Sequence, residues 1–305
     1  MPFSEIYHKQ AALLVRILPF VAEEPCFALK GGTAINLFVR DMPRLSVDID
    51  LTYLPIAPRP NSLAEIDAAM KRIAQHARSV SPAEDIMEQP LKDDGAVTKL
   101  IARGDGVQIK IEVNHVLRGS IYDPEIKSVS PSVEDAFGYA EIQVLSFADL
   151  YAGKIVAALD RQHPRDLFDV RDLLAKEGLN EELRRAFIVY LISHNRPMSE
   201  VLAPRLKDIT EEYKHGFEGM TETDVSVGRL VEARDTLIEH IVGEMPEEHR
   251  RFLMSFERGV PNWALLGLQH IDQLPAVKWR QHNLDKLDDA ERAALVSRLE
   301  ETLGL

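Results

Sequence analysis

The chain has 305 residues, of which 45% are hydrophobic, and a formal net charge of -13. This length favours two domains, since a domain commonly holds roughly 100 to 200 residues, and the charge argues against a protein that coats nucleic acid with Lys and Arg. No run approaches the roughly 20 apolar residues that cross a bilayer, and the N-terminus lacks an export signal, so we expect a cytoplasmic protein without membrane association. The lone cysteine, Cys26, excludes an internal disulfide and a cysteine metal cage, and is expected to be a buried thiol.

The first half of the chain mixes helix and strand patterns. Residues 4 to 22 place apolar side chains at helical spacing, and "CFALK" at 26 to 30 is typical of a short buried strand. Gly31 and Gly32 follow directly, and "TAINLFVR" then resumes the helical spacing. The predicted unit is therefore a strand, a glycine pair and a helix.

The next segment, "SVDIDL", alternates apolar and polar residues with a period of two, as a half-buried strand does. The polar positions are Ser46, Asp48 and Asp50. Side chains two positions apart on a strand point to the same face. The two aspartates are therefore predicted to share one polar strand face.

A helix from about Leu63 to Arg78 is predicted next, followed by a hairpin. Two strand patterns, at 96 to 103 and 107 to 114, are joined by "GDG", in which Asp and Gly tolerate positive φ. In the second strand Glu112 lies on the polar face and adds a third carboxylate.

From Ser146 onward the pattern is helical. Ser146 begins one predicted helix, while Pro164, preceded by His163, begins another that Gly178 ends. Further helices are expected near residues 181 to 193, 222 to 242, 246 to 257 and 288 to 303. The fold class expected is α/β (α+β), with a mixed β-sheet flanked by helices and a mostly helical C-terminal part.

The carboxylates and the glycine pair suit complementary parts of one ligand. Carboxylates on adjacent strands make a hard oxygen site for Mg²⁺ or Mn²⁺, which takes its remaining ligands from water and phosphate. A chain without Cβ atoms can approach a phosphate closely, and the N–H groups at a helix start attract negative charge. A nucleoside triphosphate (NTP) satisfies both requirements.

These residues resemble known enzymes. "GGTAINLF…RLSVDIDL" resembles the opening motif of the DNA polymerase beta-like nucleotidyltransferases. "KIVAALDRQHPRDLFDVRDLL" and "YLISHNRPMSEVLAP" are similar to the AbiEii/AbiGii toxin family of nucleotidyltransferases, and this resemblance extends to about residue 275. It implies a nucleotidyltransferase core at residues 1–145 and a helical C-terminal domain, residues 146–305, that completes the active site.

The resemblance assigns roles to the first cluster of residues. It implies that the triphosphate faces Gly31, Gly32 and Thr33, and that the metal site includes Ser46, Asp48 and Asp50, with Ser46 also near the substrate. Glu112 fills the position of the third superfamily carboxylate. Thr33 departs from the superfamily pattern, which more commonly has Ser directly after a single Gly, so the phosphate donor stays open.

The resemblance also points to Lys154, Asp166 and Asp169 as catalytic positions. Lys154 can act as a point charge on the β or γ phosphate, and Arg161 and Arg165 are assigned to substrate binding. The alternative is a local salt-bridge network of small energetic value. The family favours Asp169 as the direct participant, whereas helical phase favours Asp166 as the more buried carboxylate.

Four other residues attract functional interpretations. His163 is expected to lie beside a helix cap, and His194 to lie in a loop before a proline. Trp279 and Arg280 offer a possible recognition surface, although a tryptophan in such a segment is more often part of the core.

The predicted function is transfer of a nucleotide from an NTP to an acceptor hydroxyl, with release of pyrophosphate. The resemblance implies a toxin with a cognate antitoxin protein as partner, and the 3′ end of tRNA as the acceptor. Two alternatives remain: a nucleotide-binding module that regulates a partner without catalysis, and a carboxylate-metal nuclease.

Overall fold

The structure is a computed structural model that describes residues 3–80 and 85–305. Its contacts group the chain into two compact units. The first unit runs up to Ser146 and includes the later segment Glu218–Asp224, and the second holds Phe147–Phe217 and Val225–Leu305. Nothing in the sequence pattern indicates that 218–224 groups with the first unit. In the described residues, no helix has both the length and the apolar character needed to cross a membrane.

The first unit is built on a mixed sheet, whose strands within the described residues are β1 (Phe27–Lys30), β2 (Asp48–Tyr53), β3 (Asp85–Pro90), β4 (Val97–Gly104), β5 (Val107–Asn114), β6 (Glu125–Ser128) and β7 (Glu141–Val144). Their order across the sheet is β3-β4-β5-β2-β1-β7-β6. β2 is antiparallel to β1 and parallel to β5, so the strand with the aspartates is central. The predicted mixed-sheet α/β fold is confirmed.

The helices of the first unit cover this sheet: α1 (Glu5–Ala22), α2 (Gly31–Ala34), α3 (Arg59–Val80) and α4 (Pro131–Phe137). α2 continues as a π-helical turn, Ile35–Val39, a form that is frequent at functional sites. The predicted hairpin is β4 and β5, and its turn residues Asp105 and Gly106 have φ of 51° and 77°. These values explain why the turn sequence is Asp-Gly.

The second unit is helical in its described secondary structure, as predicted. Its α-helices are α5 (Phe147–Arg161), α6 (Pro164–Lys176), α7 (Glu181–Ile192), α8 (Met198–Leu202), α9 (Thr210–Gly216), α10 (Val227–Ile238), α11 (Glu247–Glu257), α12 (Pro275–Asp285) and α13 (Asp289–Leu303). α6 begins at Pro164, and the Gly178 N–H donates to the Leu173 carbonyl just after its last turn. The helix start and stop signals at these residues are confirmed.

Candidate active site

The glycine pair lies directly against the strand that carries the two aspartates. Gly31 has a φ of +74°, in the left-handed region where an L side chain is strained. A Cβ atom on Gly31 would lie 2.8 Å from Asp50 Oδ2 and 3.3 Å from Asp50 Cβ. The absence of a side chain therefore leaves room for the Asp50 carboxylate beside a bare backbone.

The second glycine adjoins a buried arginine that the sequence patterns did not single out. A Cβ atom on Gly32 would lie 2.7 Å from Arg44 Nη2 and 3.0 Å from Ser46 Oγ. Arg44 is only 1% exposed, and its Nη1 donates to the Leu45 carbonyl at 2.9 Å. Because a fully buried guanidinium cannot swing aside, this position also favours glycine.

Thr33 joins the start of the helix to the aspartate strand. Its hydroxyl donates to the Asp48 carbonyl at 2.5 Å and lies 3.0 Å from Ser46 Oγ. Thr33 and Ser46 are both buried. In this structure the Thr33 hydroxyl therefore positions the backbone of Asp48, and the predicted contact with a triphosphate stays a prediction for this residue.

Asp48 and Asp50 are half-buried on the polar face of β2, as their alternation predicts, with Ile49 buried between them. The strand register places Lys30 opposite Asp50 on one side and Glu112 opposite it on the other. Paired residues of neighbouring strands share a face. A lysine and a third carboxylate therefore flank Asp50 across the sheet.

Two lysines balance these carboxylates. Lys110 Nζ lies 3.0 Å from Glu112 Oε2. Burial opposes the charge of Lys110, but the hydrogen bond to Glu112 and the nearby Asp48 and Asp50 raise its pKa above the ordinary value. Burial lowers the pKa of Lys30, against the opposing effect of Asp50 and Glu112. The polar face is thus an array of alternating charge.

The donor set on β2 fits a hard divalent cation with two protein carboxylates, Asp48 and Asp50. Such a cation takes most of its other ligands from water and phosphate. Within residues 3–80 and 85–305, no group of three or more His, Cys, Asp or Glu side chains is gathered as a metal site. Glu112 is held by Lys110, and its place as a third metal ligand stays a prediction.

The predicted catalytic residues of the second unit form a buried ionic cluster. Lys154 Nζ lies 2.8 Å from Asp166 Oδ1 and 3.1 Å from Asp169 Oδ2. Asp166 is 0% exposed and Asp169 is 1% exposed, so burial does not distinguish the two carboxylates as helical phase had suggested. α5 supplies the lysine and α6 supplies both aspartates.

Arg161 completes this cluster from its solvent side. Its Nε and Nη2 donate to the two carboxylate oxygens of Asp166 at 2.5 and 2.9 Å, while the side chain is 58% exposed. Burial would raise the pKa of Asp166, but Lys154 and Arg161 outweigh it and hold that pKa well below its ordinary value. The two cations therefore favour the ionised form of Asp166.

Arg165 differs from Arg161. Its backbone N–H donates to His163 Nδ1 at 3.2 Å, but no acceptor in the described part of the chain contacts its half-exposed guanidinium. Arg165 and Asp169 are four positions apart on α6 but form no ion pair, whereas Asp169 contacts Lys154. Arg165 thus keeps its charge available for an anionic ligand.

The two histidines take structural positions. His163 is the N-cap of α6, as expected for a cap neighbour, because its ring accepts the Arg165 N–H. His194 lies in the loop before Pro197, with Nε2 at 3.7 Å from Asp160 Oδ2, and burial lowers its pKa.

Trp279 is 59% exposed on α12, so the expectation of a core tryptophan is wrong. Its ring centroid lies 5.8 Å from that of His282 and 5.7 Å from Lys286 Nζ. Arg280, by contrast, is largely buried, with Nη2 at 4.0 Å from Glu257 Oε2. Neighbouring positions on a helix point in different directions, so only Trp279 offers a surface for recognition.

Sequence reasoning missed Lys30, Arg44 and Lys110 as parts of the site. Lys30 directly precedes the glycine pair, and Lys110 shares the polar face of β5 with Glu112, so both had a local signal. Lys30 and Lys110 lie beside the aspartates only because of the register of β1 and β5 against β2, and the sequence alone does not reveal this register. Arg44 opens the quoted segment "RLSVDIDL", but nothing in the pattern indicated that its side chain is buried.

Comparisons with known proteins bear on the family and the fold of the chain. A family model described as nucleotidyl transferase AbiEii toxin, type IV toxin–antitoxin system, matches residues 12–280. Among solved structures the chain is similar to MenT4, a nucleotidyltransferase toxin from Mycobacterium tuberculosis H37Rv, with a TM-score of 0.60, 14% sequence identity, and coverage of 90% of this chain and 92% of that chain. At 14% identity, this structural similarity establishes a shared fold and carries no statement about activity. A search of curated proteins gave no significant match. Because the family match spans most of the sequence, the chain belongs to the AbiEii nucleotidyl transferase toxins of type IV toxin–antitoxin systems.

Proposed function

We propose that this toxin transfers a nucleotide from an NTP to an acceptor hydroxyl, with the 3′ end of tRNA as the acceptor. The observation that carries the proposal is the packing of Gly31 against Asp50, where a Cβ atom would lie 2.8 Å from the carboxylate oxygen. A bare backbone beside two strand carboxylates suits a triphosphate bound together with a metal ion.

The reaction is an in-line displacement at the α-phosphorus. The acceptor oxygen forms a bond to this phosphorus, the bond to the bridging oxygen of the β-phosphate breaks, and pyrophosphate leaves with the electron pair. The proton of the acceptor hydroxyl is released to solvent or to a neighbouring base. Asp48 and Asp50 would hold Mg²⁺ or Mn²⁺, which lowers the pKa of the attacking hydroxyl and neutralises the triphosphate.

The residues of the first unit have separate tasks in this proposal. Backbone N–H groups at Gly31 and Gly32 face the phosphates, and Thr33 fixes the Asp48 backbone through its hydroxyl. Lys30 lies beside Asp50 on the same face and limits the repulsion between the carboxylates and an incoming polyanion.

In the second unit the proposal assigns Lys154, Asp166 and Asp169 to catalysis and two arginines to substrate binding. Arg165 is the stronger candidate for a phosphate contact, because its guanidinium has no acceptor among the described residues. Arg161 is committed to Asp166 through two hydrogen bonds and would serve by holding that carboxylate.

The proposal is tested by incubating the purified toxin with tRNA, each labelled NTP in turn, and Mg²⁺ or Mn²⁺. We expect label on the tRNA, release of pyrophosphate, and loss of both in Asp48→Asn and Asp50→Asn variants. Glu125→Gln is the matched control, because Glu125 is an exposed strand carboxylate, 62% accessible, paired with Lys127. Unchanged transfer in both aspartate variants would refute the assignment of the site.

The same assay separates the alternatives. Lengthened RNA with released pyrophosphate supports transfer, whereas shortened RNA supports a carboxylate-metal nuclease. A regulatory module would bind the NTP without releasing pyrophosphate with any acceptor. Label on total RNA but not on tRNA would keep the enzyme class and replace the acceptor.

A further inference from the structure

A second concentration of positive charge lies away from the aspartate pair, where β2 and β5 end and α3 begins. Arg118 follows β5, and its Nη1 donates to the carbonyl of Ala57, two residues before the start of α3, at 3.3 Å. The segment after β5 is fastened to the end of β2, since the Gly119 N–H donates to the Tyr53 carbonyl at 2.8 Å. Arg118 is therefore fixed at the N-terminal end of a 22-residue helix.

Arg118 is a buried cation without a counter-ion. It is 8% exposed, and no carboxylate within the described residues forms an ion pair with it. Its Nε is buried and has no hydrogen-bond acceptor there. Burial and the nearby Arg59 lower its pKa from the ordinary value. A buried, incompletely paired guanidinium is costly, so an anion at this position would relieve a free-energy cost that folding alone leaves in place.

The surroundings add positive potential. Arg59 opens α3, and the first turn of this helix contains no acidic residue. The N-terminus of a helix already carries a partial positive charge and favours anions. Arg59 contacts Asp94 at 2.8 Å in a pair whose side chains are 48% and 39% exposed, so a ligand can compete for it. Half-exposed His115 is the third basic side chain, and burial and both arginines lower its pKa.

We propose that Arg118, Arg59 and the first turn of α3 form a phosphate-binding site, with His115 at its edge. The site is distinct from the glycine pair, because it lies beyond Tyr53, about 10 Å along β2 from Asp50 at the ordinary rise per residue. Its ligand is a phosphate group, either of a free phosphate or nucleotide, or of an RNA backbone. Phosphate binding at this site does not depend on the nucleotide transfer proposed above.

Binding of inorganic phosphate to the full-length protein tests the site. The protein is kept in EDTA, and its unfolding midpoint is followed against added phosphate, with chloride at equal ionic strength as reference. We expect phosphate to raise the midpoint, and Arg59→Gln and Arg118→Met to weaken this binding about tenfold or more, as expected for loss of a hydrogen bond to a charged group.

Arg16→Gln is the matched control. Arg16 is 45% exposed and pairs with Asp105 at 2.7 Å, much as Arg59 pairs with Asp94. This substitution should leave the phosphate response unchanged. If Arg59→Gln and Arg16→Gln respond to phosphate equally, or if phosphate raises no midpoint, the proposal is overturned. Arg59→Gln keeps the test decisive even if Arg118→Met does not fold.

A second arm identifies the source of the phosphate. Binding of labelled tRNA is measured by anisotropy over a salt series for the unsubstituted chain, Arg59→Gln and Arg16→Gln. Weaker binding in Arg59→Gln alone, with a salt slope reduced by about one, assigns the site to RNA backbone phosphate. Loss of the inorganic phosphate response without any change in RNA binding assigns it to a free phosphate or nucleotide.

Discussion

Lys154 is expected to hold the second unit together as well as to serve catalysis. It is 7% exposed and contacts two carboxylates that are almost fully buried. Removal of one partner from a buried ionic cluster typically costs about 3 to 5 kcal/mol. In Lys154→Met, Arg161 still donates two hydrogen bonds to Asp166, so the cluster keeps part of its charge compensation. We therefore expect a loss near the lower limit, about 3 kcal/mol, a large part of the usual stability of a domain.

Urea denaturation followed by circular dichroism measures this loss. With an m-value of about 1 to 3 kcal/mol/M, the midpoint should fall by about 1 to 3 M. Lys176→Met is the control, because Lys176 is exposed in the last turn of α6, and a change within about 0.5 kcal/mol is expected there. Adding Asp169→Asn to Lys154→Met should restore part of the stability, since it removes one of the two buried carboxylates that Lys154 contacts.

The loss should also depend on pH. The folded pKa of Asp166 is lowered, so its ionisation stabilises the parent protein above the unfolded value near 4, and this contribution is lost as the pH falls through the folded value. In Lys154→Met, Asp166 loses the cation that does most to lower its pKa, so it takes up a proton at a higher pH than in the parent. The difference between variant and parent should therefore shrink from pH 7 to pH 5. A loss below about 1 kcal/mol, or one independent of pH, would refute this account.

Three further changes probe the first unit. Gly31→Ala should destabilise the protein by about 2 kcal/mol or more. Gly106→Ala should destabilise it less, because Gly106 has a similar φ of +77° but nothing within 4 Å of an added Cβ. Equal losses of stability in urea would show that the Asp50 carboxylate beside Gly31 does not contribute. Thr33→Val should cost about 1 to 3 kcal/mol in the same measurement, since the Asp48 carbonyl loses its buried donor, and a neutral result would contradict that role. Burial, with smaller effects from nearby carboxylates, raises the pKa of the Cys26 thiol to about 12. A thiol reagent at pH 8 should therefore modify Cys26 only after unfolding. Rapid modification of the native chain would show that the thiol is accessible.

Local sequence signals predicted the elements whose conformation is determined by their own residues. The Asp-Gly turn sets the β4–β5 hairpin because both residues accept positive φ, and α6 begins at Pro164 because proline suits a first helical turn. Strands β3, β6 and β7 were not predicted. β6 has the four residues "EIKS" with three exposed, and the pairing that makes it a strand comes from β7 rather than from its own pattern. For such a short strand at the edge of a sheet, pairing with the neighbouring strand determines whether the strand forms.

In the candidate site, too, local features could be predicted from the sequence, whereas contacts between strands could not. The period of two was enough to place Asp48 and Asp50 on one face, because alternation is a property of the strand itself. The neighbours of Asp50, Lys30 and Glu112, depend on which strands lie beside β2 and in what register. The π-helical turn Ile35–Val39 also had no signal, since helical spacing alone does not distinguish an inserted residue.

The net charge of -13 is compatible with the proposed triphosphate and RNA substrates, because carboxylates of the candidate site lie beside cations. Lys110 contacts Glu112, and Lys154 contacts Asp166, each within hydrogen-bonding distance, so these two carboxylates are neutralised locally. Local neutralisation matters more than net charge at such distances, because exposed charges farther than about 8 to 10 Å are largely screened at physiological salt. Under the proposed function, an incoming phosphate would meet cations such as Arg165, which has no carboxylate partner among the described residues. Binding should therefore depend on individual arginines, and removal of distant surface acids should change it little.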